Sequence, residues 1–340
     1  MRAILLTGTG GVEVLKGAEI DYPKVEQSHV VLKVRGCGIC YRDTLVRRGL
    51  MRARIPVVPG HEVTGEVVEV GDGVEDLRKG ELVASLIYVH DPHNPECKGE
   101  ENTCRGNRWI GEDLDGCYAE YVKLPRWSLV KVGEPGESPP EAFSYAACVV
   151  GTAIRALKTI AKARKGETVL ITGASGGVGI HALQVAKSLG LRVIAATRSE
   201  EKAKAIESLG GEVLLYKDKF AEEARRRTDG RGADIVLDTV GGPTLDQSLR
   251  AVAKGGRVVL IGNVDPSPQP VMLGLVILRE LRLHGALNST PAELAEAVEM
   301  LRKGFVKPVF RAIPLDEEEV RRAHLTLERG GSLGRTVIKP

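Results

Sequence analysis

A chain of 340 residues, 43% apolar and 27% charged, has the make-up of a soluble globular protein and length enough for two domains with a large core. Its 48 Lys and Arg against 45 Asp and Glu leave a net charge of +3, too small to imply a nucleic-acid or membrane partner. The longest aliphatic run, Val271 to Leu278, is far too short for a bilayer and reads as a core or subunit-contact segment.

The opening MRAILLTGTGG reads as strand and turn, without the apolar stretch or cleavage signature of a secretory leader, so a cytoplasmic protein is expected. Six cysteines at irregular spacings in such a chain suggest metal or redox chemistry rather than a disulfide scaffold. Asn and Gln are scarce while Glu, Lys and Arg are abundant, a bias associated with thermophile proteins. Short alternating strands, such as Val30 to Val34 and Glu66 to Val70, are punctuated by Gly and Pro and predict an antiparallel β domain over the first half. Within it lie Gly38-Ile-Cys-Tyr-Arg-Asp43 and Pro59-Gly-His-Glu-Val-Thr-Gly65, and Cys148 follows just before a helix near Gly151. Cys37 and Cys40 form a CxxC, which leaves a disulfide or a rearranged metal site open.

The second half has a different texture. Thr168 to Gly179 reads TVLITGASGGVG: a β-branched run, a glycine-rich turn, then the amphipathic segment Ile180 to Leu189. Strand, tight turn and helix in this order make a dinucleotide site, because glycine lets the backbone approach a pyrophosphate and the helix start offers free N–H groups to the anion. Gly173, Ser175, Gly176, Gly177, Val178 and Gly179 are the candidate cofactor positions. Further strands are predicted at Arg192 to Ala196, Val213 to Tyr216, Asp234 to Asp238, Arg257 to Ile261 and Glu280 to His284. Helical segments such as Glu200 to Leu209 and Leu245 to Ala253 separate them, and this alternation predicts a doubly wound parallel sheet. An NAD site would carry an acid at the end of the second strand; Thr197, Arg198 and Ser199 stand there, with Lys202 nearby, and suit the 2′-phosphate of NADP(H). The other reading makes Arg198 a solvated loop charge beside Glu200 and Glu201.

Taken together, CYRD at Cys40 to Asp43, GHEV at Gly60 to Val63, TGASGGVGIHA at Thr172 to Ala182, IGNVDPS at Ile261 to Ser267 and the closing Gly334 to Ile338 strand resemble the medium-chain dehydrogenase/reductase superfamily, in its zinc alcohol dehydrogenase branch. Within that branch the pattern is most similar to archaeal acryloyl-CoA reductases and related NADPH-dependent members. The resemblance implies an α/β protein in which a doubly wound Rossmann domain, residues 151–288, is inserted in a GroES-like antiparallel β domain formed by residues 1–150 and 289–340. It implies a homodimer or homotetramer joined through the edge of the nucleotide-domain sheet, for which Leu281 to Gly285 is the candidate strand. Gly262 and Asn263 would approach the nicotinamide.

The same resemblance assigns Cys40, His61 and Cys148 to a catalytic Zn2+, with Glu62 as an exchangeable or supporting ligand. Read on their own, these side chains suit packing as well as ligation. Tyr41 and Arg42 stand where alcohol dehydrogenases carry a His and a relay hydroxyl; Arg cannot readily lose a proton, and beside Cys40 it is expected to repel a dication. A structural zinc lobe is implied in the loop His90 to Cys104, with Asp91, His93, Cys97 and Cys104 as ligands and His90 as a spare; the other reading is a polar surface loop with two free thiols.

The expected activity is NADP(H)-dependent hydride transfer to a ketone or aldehyde, as a small-molecule carbonyl reductase poor on short alcohols, with Tyr41 or water as proton source. The alternative is an enoyl-CoA reductase of the acryloyl-CoA type, or a quinone reductase, working without catalytic zinc. A non-catalytic NADPH-binding protein is disfavoured because Cys40, His61 and Cys148 all remain.

Overall fold

The computed structural model describes residues 1–134, 136 and 138–340. They divide into two compact units, Met1–Gly151 with Asn288–Pro340, and Thr152–Leu287. No helix among the described residues is long and apolar enough to cross a membrane.

The first unit is built on a seven-stranded sheet. Its order is Phe310–Pro314, Arg335–Lys339, His29–Ile39, Glu62–Val70, Leu82–Ser85 and Leu129–Lys131, with Tyr121–Pro125 also paired to His29–Ile39. All these pairs are antiparallel except that of Phe310–Pro314 with Arg335–Lys339. Val30, Leu32, Val34, Cys37 and Ile39 of the long central strand lie in one apolar cluster with Val63, Val67, Tyr118 and Val122. Two register shifts, at Val31/Leu32 and Val34/Gly36, bend that strand against Glu62–Val70. Its end delivers Cys40, and the antiparallel pairing of Thr336 with Ile39 brings the chain's last strand to the same place.

A disulfide joins Cys37 to Cys117, whose Cα atoms are 5.8 Å apart, and a second joins Cys97 to Cys104. Both overturn the expectation that the cysteines serve only metal or redox chemistry, and the first overturns a Cys37–Cys40 pair. Cys37 sits inside the strand with its side chain fully buried next to Cys117, while Cys40 lies beyond the strand end and stays a free thiol.

The second unit is a six-stranded parallel sheet in the order Glu212–Leu215, Arg192–Thr197, Thr168–Ile171, Ala233–Asp238, Val252–Leu260, Arg282–Gly285. Numbered along the chain this is 3-2-1-4-5-6, a doubly wound arrangement that places ligands outside the carboxyl ends of the strands at the switch point. Thr168–Ile171 is buried throughout, as a strand covered on both faces must be. The fifth strand begins at Val252, earlier than the sequence suggests: Val252 pairs with Ala233, and the register resumes only at Arg257 opposite Ile235.

The Val271 to Leu278 run is not core. It forms the short helix Leu273–Leu278, with Leu273, Ile277 and Leu278 68%, 70% and 79% exposed, while Val271, Leu275 and Val276 pack inward.

Asp238, at the end of the central strand Ala233–Asp238, is fully buried and accepts hydrogen bonds from Thr172 Oγ1 (2.8 Å), Val240 N (3.0 Å), Gly241 N (2.9 Å), Thr244 Oγ1 (2.7 Å) and Ser248 Oγ (2.7 Å). This one carboxylate ties the first strand, the turn after the fourth and the helix Gly242–Ala251 together. Asp238→Ala removes the acceptor of five donors, among them the buried Thr172 Oγ1, Gly241 N–H and Ser248 Oγ, and is expected to lower the unfolding free energy by roughly 3 kcal/mol or more. Urea unfolding followed by circular dichroism checks this; a change under about 1 kcal/mol contradicts it.

Candidate metal centre and nucleotide loop

Cys40 caps the helix Tyr41–Arg47 at the end of the central strand, His61 precedes the strand Glu62–Val70, and Cys148 projects from the π-helical turn Ala146–Gly151. Among the described residues these three and Glu62 are the set of three or more donors able to share one ion, with one ligand atom from each within 4.8 Å of all the others. Cys40 Sγ lies 3.9 Å from Cys148 Sγ, which lies 3.8 Å from His61 Nε2. A tetrahedral zinc with Zn–S bonds of about 2.3 Å has an S–S edge of about 3.8 Å, so the spacing fits such an ion.

The electrostatics of the cluster point the same way. A hydrogen bond from the Cys148 thiol holds Cys40 well below its ordinary range against the effect of burial, with Arg335 and His61 pulling in the same direction. The same bond, together with burial, leaves Cys148 raised. Burial pushes the Glu62 carboxyl up to about 7, with Arg335 opposing it. Glu62 Oε1 accepts from Arg335 Nη2 at 2.5 Å, while Glu62 Oε2 is buried without a partner. A Cβ on Gly38 would stand 1.9 Å from that orphaned oxygen, so the carboxylate lies where it does only because residue 38 is Gly. Two soft thiols, an imidazole nitrogen and one unsatisfied carboxylate oxygen make a donor set suited to zinc.

His61 Nδ1 lies 3.1 Å from Asp43 Oδ1, and this contact leaves Nε2 facing the sulfurs. Burial pulls the His61 imidazole down, but the neighbouring Asp43 pushes it up and prevails. A carboxylate behind a ligating imidazole fixes its tautomer and orientation.

Arg42 does not act as expected. Its guanidinium pairs with Glu112 through two hydrogen bonds, Nη2 to Oε2 at 2.8 Å and Nε to Oε1, and its Cζ lies 4.6 Å from the ring centroid of Trp109. The positive charge is neutralised by this pair and aromatic face rather than left to repel a cation.

Nor does the expected structural zinc set assemble. Cys97 and Cys104 are bonded to each other and so offer no thiolate. Asp91 Oδ1 instead accepts from the His93 backbone N–H at 2.9 Å, a local turn, and both residues are exposed. His90 is buried, with its carbonyl accepting from Trp127 Nε1 at 2.8 Å.

In the second unit the glycine-rich turn leads into the helix Gly177–Ser188, with Gly176 at its N-cap. Gly173 has φ +55°, and Gly179 lies so close to the turn that a Cβ would stand 2.4 Å from Gly173 O. Gly262 is equally confined, with Thr239 backbone atoms 2.1 Å from where its Cβ would be, and Asn263 follows it. Ser175 and Thr197 are brought together, Thr197 Oγ1 lying 3.5 Å from Ser175 Oγ. Val178 is in the helix's first turn. Ser199 caps the helix Glu200–Ser208, its Oγ accepting from Lys202 N at 3.3 Å, and Arg198 beside it is exposed.

Sequence reasoning passed over several of these partners. Arg335 was seen only as part of a closing strand, although it is buried there and a buried cation must meet an anion. Tyr216, just beyond the strand Glu212–Leu215, was also passed over: burial pushes its phenol up while Arg198 pulls against it.

Comparison with known proteins adds the following. A family model described as "Alcohol dehydrogenase GroES-like domain" matches residues 26–134, and one described as "Zinc-binding dehydrogenase" matches residues 177–303. The chain is 39% identical to an acryloyl-coenzyme A reductase of Sulfurisphaera tokodaii, over 100% of both chains. It is 40% identical to the acryloyl-coenzyme A reductase of Metallosphaera sedula, over 99% of each. The crystal structure of an alcohol dehydrogenase from the hyperthermophilic archaeon Aeropyrum pernix superposes with a TM-score of 0.92 at 28% identity, over 100% of both chains.

The cysteine pairing yields a direct count. Thiol titration of the denatured, unreduced protein should find two free thiols per chain, Cys40 and Cys148. Four would remove one of the two bridges, and six would remove both.

Proposed function

Since the chain belongs to the medium-chain dehydrogenase/reductase family, in its zinc alcohol dehydrogenase branch, and is thereby an oxidoreductase of that family, we propose that it uses NADPH to reduce an alkene conjugated to a carbonyl, with enoyl-CoA thioesters as the substrate class. The observation that carries this reading is Arg42. Alcohol and ketone interconversion needs a route for the hydroxyl proton, and the place where that route would begin is closed by a guanidinium locked onto Glu112 and Trp109. Alkene reduction puts its proton on carbon and has no need of that route. The two relatives near 40% identity, both acryloyl-coenzyme A reductases along their whole length, support the same class.

Cys40, His61 and Cys148 would hold zinc, with Glu62 as the exchangeable fourth donor. Bound there, the ion would polarise the carbonyl oxygen conjugated to the alkene while NADPH supplies hydride to the β-carbon. Asp43 keeps His61 Nε2 free to ligate, and Arg335 holds one oxygen of Glu62 so that the other can join or leave the ion. Tyr41, half-buried at the first residue of its helix, is the phenol assigned to deliver the proton to the α-carbon. Gly176, Gly177 and Gly179 take the pyrophosphate at the helix N-terminus, Arg198 and Ser199 take the 2′-phosphate, and Tyr216 flanks it. Carbonyl reduction is the second reading, favoured by the complete ligand set.

A second copy of the chain fits the open edge of the sheet in the second unit. There Arg282–Gly285 is the last strand, with the exposed Leu273, Ile277 and Leu278 nearby in the chain.

Two measurements check the reading. NADPH oxidation should be much faster with acryloyl-CoA or crotonyl-CoA than with acetone or acetaldehyde, and NADP-coupled ethanol oxidation should be slow; efficient ethanol oxidation without enoyl-CoA turnover contradicts it. Arg198→Asp removes a charge-assisted pair worth about 1.5–3 kcal/mol, so the Kd for NADPH should rise about ten- to hundredfold with little change for NADH. Equal affinity for the two nucleotides in the unaltered protein contradicts the cofactor assignment.

A further inference from the structure

The hydrogen bonding behind His61 does not end at Asp43. Asp43 Oδ2 accepts from the Cys40 backbone N–H at 2.8 Å and from the Tyr118 hydroxyl at 3.1 Å. The Tyr118 oxygen lies in turn 3.2 Å from His324 Nε2, with the two rings edge to face, 6.0 Å between centroids. His61, Asp43, Tyr118 and His324 are all buried. They come from four separate parts of the first unit, the last from the helix Glu317–Glu328. Tyr118 occupies its place because residue 60 has no side chain: Gly60, at φ +92°, would put a Cβ 2.3 Å from Tyr118 Cδ1.

Proton bookkeeping gives this line one direction. An ionised Asp43 can only accept, so Tyr118 spends its single proton on it, and the Tyr118 oxygen must accept from His324. That makes His324 the Nε2–H tautomer. Burial pulls its imidazole down to about 4, so it is neutral, and its Nδ1 has no hydrogen-bond partner among the described residues. The ring's one hydrogen bond therefore points along the chain toward the metal ligands. The donated bonds hold the Asp43 carboxylate in place, and Asp43 faces His61 Nδ1, so that a metal at the site would find the ring's retained proton on Nδ1 and Nε2, which faces Cys148, available to ligate.

We propose that Tyr118 and His324 are positioning residues for the metal, the outer links of a chain His324–Tyr118–Asp43–His61 that sets how tightly Cys40, His61 and Cys148 hold it. The proposal rests on the metal reading of those three residues, and the experiment separates the two.

The full chain is stripped of metal and its zinc Kd measured by competition with a chromophoric chelator, for the unaltered protein and for Asp43→Asn, Tyr118→Phe, His324→Phe, His324→Gln and the double variant Tyr118→Phe/His324→Phe. The d–d spectrum of the cobalt-loaded forms is recorded in parallel. Tyr118→Phe and His324→Phe should each weaken zinc about tenfold and shift the cobalt bands, as loss of an outer partner of a ligating histidine does. The double variant should be no weaker than Tyr118→Phe alone, because the links act in series. His324→Gln, whose amide keeps a donor near the Nε2 position, should restore most of the affinity. Zinc binding and cobalt spectra unchanged in Tyr118→Phe, with Asp43→Asn weakened, overturn this inference and leave the metal reading standing. So do losses that add in the double variant. Unaltered protein that takes no zinc overturns both. Should His324→Phe fail to fold, Tyr118→Phe, which removes one oxygen from a fixed ring, decides alone.

Discussion

Cys40, Cys148 and Glu62 gather three acidic donors within 4.8 Å of one another, the carboxylate buried and the two thiols half-buried, and the Arg335 guanidinium touches Glu62 and Cys148. Burying such an excess of negative charge is unfavourable unless protons or a cation balance it. Without an ion the balance is struck by protonation: Cys148 holds a proton for Cys40, and the Glu62 carboxyl is driven up to about 7. A dication does the same work without those protons, and the unpartnered Glu62 Oε2 and the room left by Gly38 show where the group stays adaptable. The surrounding fold serves this balance. The central strand ends at Cys40, the chain's last strand pairs beside it to deliver Arg335, and the π-helical turn presents Cys148.

Selecting the reaction is a separate matter from holding the ion. Arg42 stands next to Cys40 in sequence, yet its charge is spent on Glu112 and its face on Trp109. Cys40, His61, Glu62 and Cys148 form a donor set that could hold an ion, while the neighbouring position is built to hold a guanidinium still rather than to pass a proton. On the function proposed above, this pairing of candidate metal donors with a guanidinium held still is what favours conjugated alkenes over alcohols as substrates.

Much of this was legible in the residues. The glycine-rich turn and the alternation of strands and helices after it were enough for the doubly wound sheet, since periodicity and motif spacing are local properties of the chain, whereas it was the family resemblance, not spacing, that singled out Cys40, His61 and Cys148, which the structure brings together. Pairings across large sequence distance were not. Arg335 with Glu62 spans 273 residues and His324 with Tyr118 spans 206, and no spacing rule reaches so far. The Cys37–Cys117 bridge was hidden for the same reason, because the CxxC offered a nearer partner. The loop His90 to Cys104 misled through composition: Asp, His and two Cys suit zinc, but the two sulfurs meet each other, and Asp91 turns back to its own backbone. The Val271 to Leu278 run shows the limit of hydropathy alone, since half of its side chains face outward from the unit that carries them.

X-ray absorption at the zinc edge, on protein purified without added metal, tests the central claim most directly. The account predicts about one zinc per chain with two sulfur ligands near 2.3 Å and two nitrogen or oxygen ligands near 2.0–2.2 Å. Cys148→Ser should change that to one sulfur. Protein free of zinc, or zinc whose ligand set is untouched by Cys148→Ser, would contradict it.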